Sequence, residues 1–512
     1  MKKLAALALF SMLILLSACG PMHPPKADSS LGRHPVIDPD YTDVIVPPNI
    51  APLNFCILET GDDFWVQIRS TSGNSLDCRA GNRKVFFDLK KWRHLLRQSQ
   101  GETLKVTLYG RVKTQWQKFE PFNIIVAQET ADDYIVYRLI HPAHLLWREM
   151  GIYQRRISDF SENRVLHNRL IGGQCLNCHH FCGYDPSRFM LHIRGNRVGG
   201  TLIAVGEKVK KVNTATSFNR AGAYPAWSPD GRQIAFSVNQ LEMFFHASGE
   251  PRDVLDRGSD IVLYDVEKNL ISAPAALSDP HWMETFPAWS PDGKTLYFCR
   301  CPSFETFVDQ GGLHYERVRY DLMKILYNSE TGWGEAELIL AGNELGGSIT
   351  EPAVSPDGRY LLFCLASDGH FPIYKPSSDI YLLDLQTGRH EKAAFSSSDF
   401  ADTYPSWSSN GRWILFSSKR RDNVYSHVYL SYFAAGKVHK PFILPQKSPR
   451  FYDTFTQTFN RPTWACGPIR LSSQKLAKTA YDNRRKLDAQ LDPQLRDKQG
   501  KKSEGAYHPA PN

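Results

Sequence analysis

The 512-residue sequence lacks three features, and each absence excludes a class of protein. Only one long apolar run is present, Leu4–Leu16, which excludes a multi-span membrane protein. No G-x-S-x-G nucleophile elbow occurs, which argues against a serine hydrolase that uses this motif. The folded body also lacks net charge, because the two ends of the chain carry nearly all of the +8. We therefore expect no nucleic-acid partner.

The sequence does contain enough apolar residues to fold. Hydrophobic residues make up 42% of it and aromatic residues 12%, and aromatic residues at this level require burial. The length exceeds what a single compact core holds. We expect two or three folded units.

The first nineteen residues have the pattern of an export signal. Lys2 and Lys3 precede an apolar run of 13 residues, too short to span a bilayer, which ends in Leu16-Ser17-Ala18-Cys19. These residues resemble the lipobox of bacterial lipoproteins, which implies acylation and cleavage at Cys19. Gly20 follows instead of an acidic retention signal, so the resemblance implies a lipid-anchored protein of the outer membrane that faces the periplasm.

Four segments in the middle of the chain repeat one pattern. They are YPAWSPDGRQIAFSV from Tyr224, FPAWSPDGKTLYFCR from Phe286, EPAVSPDGRYLLFCL from Glu351 and YPSWSSNGRWILFSS from Tyr404. Ser-Pro-Asp-Gly forms a tight turn because Pro presets φ, Asp binds the backbone and Gly accepts positive φ. We predict no catalytic role for Asp230, Asp292 and Asp357. Strand, turn and strand at a period above forty residues indicate propeller blades.

These residues resemble the TolB-like β-propeller repeat, from about Tyr224 to Tyr432. Arg194–Val212 can supply an earlier blade, and Phe455–Trp464 can help to close the ring. The resemblance implies a mainly β protein with six blades, or five. Alternating segments before the propeller, interrupted by the helix KKWRHLLRQ, predict a β-rich, sandwich-like N-terminal domain. The predicted organisation is a signal peptide at 1–18, a Pro-rich tether at 19–50, a β-rich domain at 51–142, a helical linker at 143–187, the propeller at 188–469 and a charged, disordered tail at 470–512. Within this tail we expect a short amphipathic helix near Gln474–Leu491, with disorder after it.

One motif suggests a cofactor. Cys175-x-x-Cys178-His179 is the attachment sequence of c-type haem. The two thiols would form thioethers with one porphyrin, and His179 would be the proximal iron ligand. A β-rich unit, this motif and TolB-like blades together resemble bacterial lipoproteins described as cytochrome-c-associated propellers.

The haem hypothesis needs a distal ligand and has competitors. Met190 and His192 lie two residues apart on a predicted strand, so either could be the distal ligand. Arg194 could pair with a haem propionate. Cys182 and His180 extend the motif to a set that could hold zinc, and a disulfide between Cys175 and Cys178 is a third alternative.

The sequence therefore favours a periplasm-facing lipoprotein with covalent haem c and a propeller docking surface, acting in electron transfer or redox sensing with a protein partner. The alternative is a non-enzymatic propeller scaffold that binds protein or glycan, with the Cys cluster as a zinc or disulfide staple. The sequence argues against an enzyme in general. A haem enzyme with an open coordination position on the iron is the one enzymatic alternative.

Overall fold

A computed structural model describes residues 24–141, 149–195, 197–244, 253–396 and 399–493. The predicted signal peptide, Cys19 and the end of the chain from 494 lie outside these ranges. The chain divides into two compact units, Met1–Thr130 with Pro445–Thr454, and Ala131–Leu444 with Phe455–Asn512. In the described ranges, no helix has the length and apolar character needed to cross a membrane.

The first unit is β-rich. Its strands are β1 Ser29–Ser30, β2 Ile37–Asp38, β3 Val44–Val46, β4 Phe55–Ile57, β5 Asp63–Ser70, β6 Ser75–Ala80, β7 Lys84–Val85, β8 Thr103–Val112, β9 Gln115–Lys118 and β10 Phe122–Val126. A seven-stranded sheet has the order β1-β9-β8-β10-β3, with β5 and β6 joined through β8, and β2-β4-β7 form a second sheet. The helices are α1 Leu89–Gln98 and α2 Phe451–Thr454. The predicted helix KKWRHLLRQ is confirmed as α1, which begins at the N-cap Asp88 and buries Trp92, Leu95 and Leu96.

One predicted feature of this unit is corrected. The stretch 19–50 is not a tether from residue 24 onward, since it contains β1 to β3. Val44 and Val46 are buried and pair with β10, so their alternation supplies a strand despite the neighbouring prolines. Cys56 and Cys78 lie in different sheets as free thiols.

The second unit is built from four-stranded sheets that follow one another along the chain. Its strands begin with β11 Tyr134–Ile140, β12 Met150–Arg156, β13 Glu162–His167, β14 Cys175–Cys182, β15 Asp185–Arg194, β16 Gly200–Val205, β17 Lys208–Asn213, β18 Ala223–Trp227, β19 Gln233–Ser237, β20 Leu241–Phe244, β21 Asp253–Asp256, β22 Ile261–Asp265 and β23 Leu270–Ser272. They continue with β24 Trp282–Trp289, β25 Thr295–Pro302, β26 Val308–Asp309, β27 Gly312–Leu313, β28 Asp321–Asn328, β29 Gly332–Leu340, β30 Ser348–Val354, β31 Tyr360–Ala366, β32 Asp379–Asp384, β33 His390–Lys392, β34 Asp402–Trp407, β35 Trp413–Ser418, β36 His427–Ala434, β37 Lys437–Val438, β38 Phe442–Ile443 and β39 Thr458–Ala465.

Six sheets form the blades of a closed propeller. Blade 1 is β39-β11-β12-β13, blade 2 is β14-β15-β16-β17 and blade 3 is β18-β19-β22-β23. Blade 4 is β24-β25-β28-β29, blade 5 is β30-β31-β32-β33 and blade 6 is β34-β35-β36-β37 with β38. The first strand of each blade contacts that of the next, in the order β39, β14, β18, β24, β30, β34 and back to β39. The mainly β fold and its propeller are confirmed, with six blades.

The C-terminal segment closes the ring. β39 is the innermost strand of blade 1 and pairs antiparallel with β11. The prediction that Phe455–Trp464 contributes to closure therefore agrees with the strand order. Blade 1 thus combines strands from the beginning and the end of the propeller segment, which joins the first and last blades of the ring.

The predicted helical linker at 143–187 is corrected. Apart from 142–148, which lie outside the described residues, this stretch forms β12, β13 and β14, with a short 3₁₀ helix at Asn168–Ile171. β12 pairs with β11 over seven residues. The propeller thus begins near 131 and not at 188, and cross-strand pairing overrides local helix propensity.

The tail, predicted to be charged and disordered apart from a short amphipathic helix near Gln474–Leu491, is structured as far as 493. It forms α3 Ser473–Tyr481, β40 Leu487–Asp488 and β41 Gln490–Leu491. Leu476, Ala477 and Ala480 bury one helix face. β40 extends blade 2 beside β17, and β41 extends blade 3 beside β23.

The repeat turns act as the sequence predicts. In the first, Ser228 Oγ donates to Asp230 Oδ1 at 2.6 Å and the Arg232 amide donates to the same oxygen at 3.0 Å. Gly231 has φ 74°. Asp292 and Asp357 make the same contacts with their own serines. These carboxylates hold turns.

Candidate functional site

The Cys-His motif lies on the innermost strand of blade 2. β14 runs antiparallel to β15, and its register shifts between Asn177 and His179. Cys178 is the bulged residue, with φ 41°. The motif is thus an extended, bulged strand within a closed sheet.

The same bulge recurs in all six inner strands. The bulged residues all have positive φ, between 41° and 55°, and are Cys178, Tyr224, Phe286, Glu351, Tyr404 and Arg461. A proline follows in five blades, and His179 takes that place in blade 2. His179 retains an N–H and a ladder partner, Leu191, whereas the prolines have no N–H to donate. Cys178-His179 is therefore the blade 2 version of the repeated X-Pro step.

The six bulged residues, which we call the axial ring, meet at the centre of the propeller. Arg461 Nη2 donates to Glu351 Oε2. The Arg461 guanidinium carbon lies 5.2 Å from the ring centroid of Tyr224 and 5.1 Å from that of Tyr404. Tyr224 and Phe286 pack edge to face at 4.7 Å. The axial ring therefore divides the channel into two cavities.

The first cavity, which we call the guanidinium cavity, lies on the side opposite the Ser-Pro-Asp-Gly turns. Its volume is about 120 Å³. Its lining includes four cationic side chains, those of Arg138, Arg194, Lys419 and Arg461. No carboxylate lines it among the described residues. Connections between second and third strands supply apolar walls, namely Leu241, Val254, Phe371, Ile373, Tyr374 and Val424.

Neutral amides hold Arg138 in this cavity. Its Nη1 donates to Asn177 Oδ1 at 2.6 Å, and its Nη2 donates to Asn460 Oδ1 at 2.7 Å. Asn177 and Asn460 directly precede Cys178 and Arg461, so the two bulges set the position of this guanidinium. Arg138 Nε and Arg461 Nη1 are buried without a hydrogen-bond partner in the described structure. The cavity therefore contains positive charge and N–H groups that protein acceptors do not fully satisfy.

The second cavity, the proline cavity, opens on the turn side. Its volume is about 450 Å³, and its walls carry the five X-Pro prolines, three turn prolines and small residues. His179 and His180 are the imidazoles that line it. Burial lowers the pKa of His179 to about 3 and that of His180 to about 4, so both are neutral. Trp227, Trp289 and Trp407 are buried in the walls, as predicted for blade packing.

The three motif side chains face different surroundings. Cys175 lines the guanidinium cavity, His179 lines the proline cavity, and Cys178 packs in a cluster with Tyr224 and Phe286. His179 Nε2 lies 2.9 Å from Thr463 Oγ1. Covalent haem needs both thiols at one porphyrin edge and the imidazole over its iron. The folded residues do not fit that group.

The distal candidates are on the wrong side of the sheet for His179. His179 pairs with Leu191, so these two side chains share a face. Met190 and His192 flank Leu191 and point to the opposite face. Met190 packs against Cys182 and Trp227, and His192 Nδ1 lies 3.1 Å from Thr201 Oγ1. Burial lowers the pKa of His192 to about 3.

The zinc and disulfide alternatives gain no geometric support. Within the described ranges, no group of three or more His, Cys, Asp or Glu is arranged to hold a metal ion. Cys175, Cys178 and Cys182 are free thiols, and each belongs to a different apolar cluster. Burial raises the pKa of Cys175 and Cys182. These thiols behave as small buried apolar groups.

The sequence reasoning missed the axial ring and Arg138. A usable signal was present, since Cys178-His179-His180-Phe181 matches Tyr224-Pro225-Ala226-Trp227 in spacing to the aromatic residue. Arg461-Pro462-Thr463-Trp464 has the same form. Arg138 has no such signal, because its role depends on closure of the ring by β39.

Comparisons with known proteins concern the fold. No family model and no curated protein matches the chain. TolB from Acinetobacter baumannii is similar, with 14% identity, 74% of this chain and 86% of that chain covered, and a TM-score of 0.42. Prolyl oligopeptidase B from Galerina marginata has 12% identity and a TM-score of 0.34, over 61% of this chain and 44% of that one. An oligogalacturonate lyase from Vibrio parahaemolyticus has 11% identity and a TM-score of 0.32, over 58% of this chain and 92% of that one.

Proposed function

We propose that this chain is a non-enzymatic propeller that binds an anionic ligand in the guanidinium cavity. The observation that carries the proposal is that two guanidinium groups, those of Arg138 and Arg194, line this cavity with no carboxylate among the described lining residues. Uncompensated charge in a half-buried site is costly unless a counter-charge joins it. An anion in the cavity supplies that counter-charge to Arg138 and Arg194.

The proposal keeps the lipoprotein hypothesis, which rests on the lipobox at Cys19. The chain would be anchored in the outer membrane, with the propeller in the periplasm. It replaces haem c as the central ligand, because Cys175, Cys178 and His179 face three different surroundings. Electron transfer stays a prediction of the sequence motif alone.

Thermal unfolding of the soluble chain without its signal peptide tests the proposal. The midpoint is followed as acetate replaces chloride at constant ionic strength. A ligand that binds only the folded state raises the midpoint in a saturable way. We expect this rise in the wild type and its loss in Arg138→Gln. Arg389→Gln is the matched control, because Arg389 is exposed on the outer side of blade 5 and pairs with Glu391. Equal responses of all three proteins would overturn the proposal.

A further inference from the structure

The guanidinium cavity has two chemically different parts. Its three arginines and Asn177 come from inner or second strands: Arg138 on β11, Asn177 on β14, Arg194 on β15 and Arg461 on β39. Its apolar walls come from connections between second and third strands. In blades 3, 5 and 6, which supply these walls, the connections leave from the strand ends opposite the repeat turns. The polar groups therefore form the floor, next to the axial ring, and the apolar groups form the mouth.

We propose that the ligand of this cavity is an organic carboxylate with an apolar body, which deepens the proposed function and rests on it. The carboxylate lies on the floor, beside the guanidinium groups of Arg138 and Arg194. Guanidinium groups suit the planar geometry of a carboxylate. The apolar body lies in the mouth.

The mouth is suited to an aromatic or branched body. Phe371 and Tyr374 stack at 5.5 Å with an interplanar angle of 24°, and Val254 and Ile373 are buried beside them. A sugar phosphate or nucleotide would place hydroxyl groups against these walls without partners, which is unfavourable. Lys419, whose Nζ lies 5.5 Å from the Tyr374 ring centroid, adds positive charge at the rim.

The floor can exclude a neutral analogue. An amide in place of the carboxylate would bring N–H groups toward guanidinium donors and leave the positive charge uncompensated. A site built from unsatisfied donors discriminates strongly against a ligand that lacks the acceptor. The same chemistry occurs in a free acid and in the C-terminal carboxylate of a protein chain. A peptide that ends in phenylalanine, with a free or an amidated C-terminus, represents the second source.

Isothermal titration calorimetry of the soluble chain tests the inference with 3-phenylpropionate, 3-phenylpropionamide and acetate. We expect 3-phenylpropionate to bind at least tenfold more tightly than acetate, and the amide to show no binding. Arg194→Gln should weaken 3-phenylpropionate at least tenfold, whereas Tyr374→Ala should weaken it without changing acetate binding. Arg389→Gln should leave both affinities unchanged.

The possible failures have different meanings. If no carboxylate binds, the proposed function itself fails. If acetate binds as tightly as 3-phenylpropionate, the anion site stands and the inference about an apolar body is overturned. If the amide binds as tightly as the acid, charge recognition is absent and the proposed function fails as well. If the inference holds, the two peptides show whether the carboxylate comes from a chain terminus or from a small acid. Tighter binding of the free-acid peptide than of 3-phenylpropionate indicates a chain terminus, and absent peptide binding indicates a small acid.

Discussion

Arg461 and Glu351 form an ion pair across the axial ring, two blades apart, with the Tyr404 ring beside the guanidinium. Both side chains are largely removed from solvent, with exposed fractions of 24% for Arg461 and 7% for Glu351. The pair joins β39, the strand that closes the propeller, to β30 of blade 5. It therefore couples ring closure to the floor of the guanidinium cavity.

Glu351→Gln should destabilise the propeller by roughly 2–3 kcal/mol, because it leaves a buried guanidinium without its counter-charge. Urea unfolding measures the free-energy change. The double variant Glu351→Gln, Arg461→Met should recover at least half of the loss, since no charge then stays buried. A single variant as stable as the wild type would show that the ion pair contributes nothing.

His179→Pro should be tolerated, because five other blades carry proline at this step. The expected cost is about 1 kcal/mol, from the ladder hydrogen bond that the His179 N–H makes available and proline lacks. Chemical denaturation gives the free energy of unfolding. Leu191→Pro, on the neighbouring central strand, is the control that should prevent folding. Failure of His179→Pro to fold would contradict the equivalence of the six X-Pro steps.

Glu284 should make the protein less stable as pH rises. It lies fully buried on β24, and burial, helped by the Asp260 charge, raises its pKa from 4.5 to about 9. The folded state keeps the proton between about pH 4.5 and 9 while the unfolded state releases it, so stability falls through this window. Glu284→Gln removes the proton linkage and should gain roughly 3 kcal/mol at pH 7.

Unfolding free energies at pH 5, 7 and 9 test the Glu284 prediction. The difference between Glu284→Gln and the wild type should grow with pH over this range. Glu391→Gln, at an exposed site on β33, should follow the wild type at each pH. A difference that is constant with pH would contradict an elevated pKa.

The C-terminal segment should stabilise the outer edges of blades 2 and 3. Leu476 is fully buried, and Lys211 Nζ donates to Ala480 O at 2.6 Å and to Asn483 Oδ1 at 2.7 Å. Leu476→Ala should cost about 2–4 kcal/mol. Lys475→Ala, on the exposed face of α3, should change stability by less than about 0.5 kcal/mol. Equal midpoints for these two variants would contradict the docking of α3.

Much of the fold can be predicted from the sequence because the repeats carry local turn chemistry. Ser228, Asp230 and Gly231 specify their turn without reference to the rest of the chain. Blades 1 and 2 lack that turn, so their strands at 134–167 and 175–182 depend on pairing partners that only the closed ring supplies. β40 and β41 could not be predicted for the same reason, because each pairs with a blade strand that is distant in sequence.

The site was harder to predict because its members are distant in sequence. Arg138 and Asn460 are 322 residues apart, yet they share a hydrogen bond. The Cys-His spacing matches a cofactor-attachment motif. The spacing alone does not show whether the residues lie in a strand, where successive side chains face different sides. In the folded ring, Cys175 and His179 line two different cavities and Cys178 is the bulged residue of β14. A sequence motif is therefore a hypothesis about a site until the fold shows where its side chains lie.

Alkylation of the unfolded, periplasmically matured protein, followed by intact-mass measurement, tests the central claim most directly. The chain should be produced with the haem c maturation machinery and unfolded without prior reduction. We predict nine modified thiols, which are Cys56, Cys78, Cys175, Cys178, Cys182, Cys299, Cys301, Cys364 and Cys466, and no added porphyrin mass. Before unfolding, the exposed Cys466 should react first. Two fewer modified thiols together with a porphyrin mass would contradict the account and restore Cys175 and Cys178 as haem attachment sites.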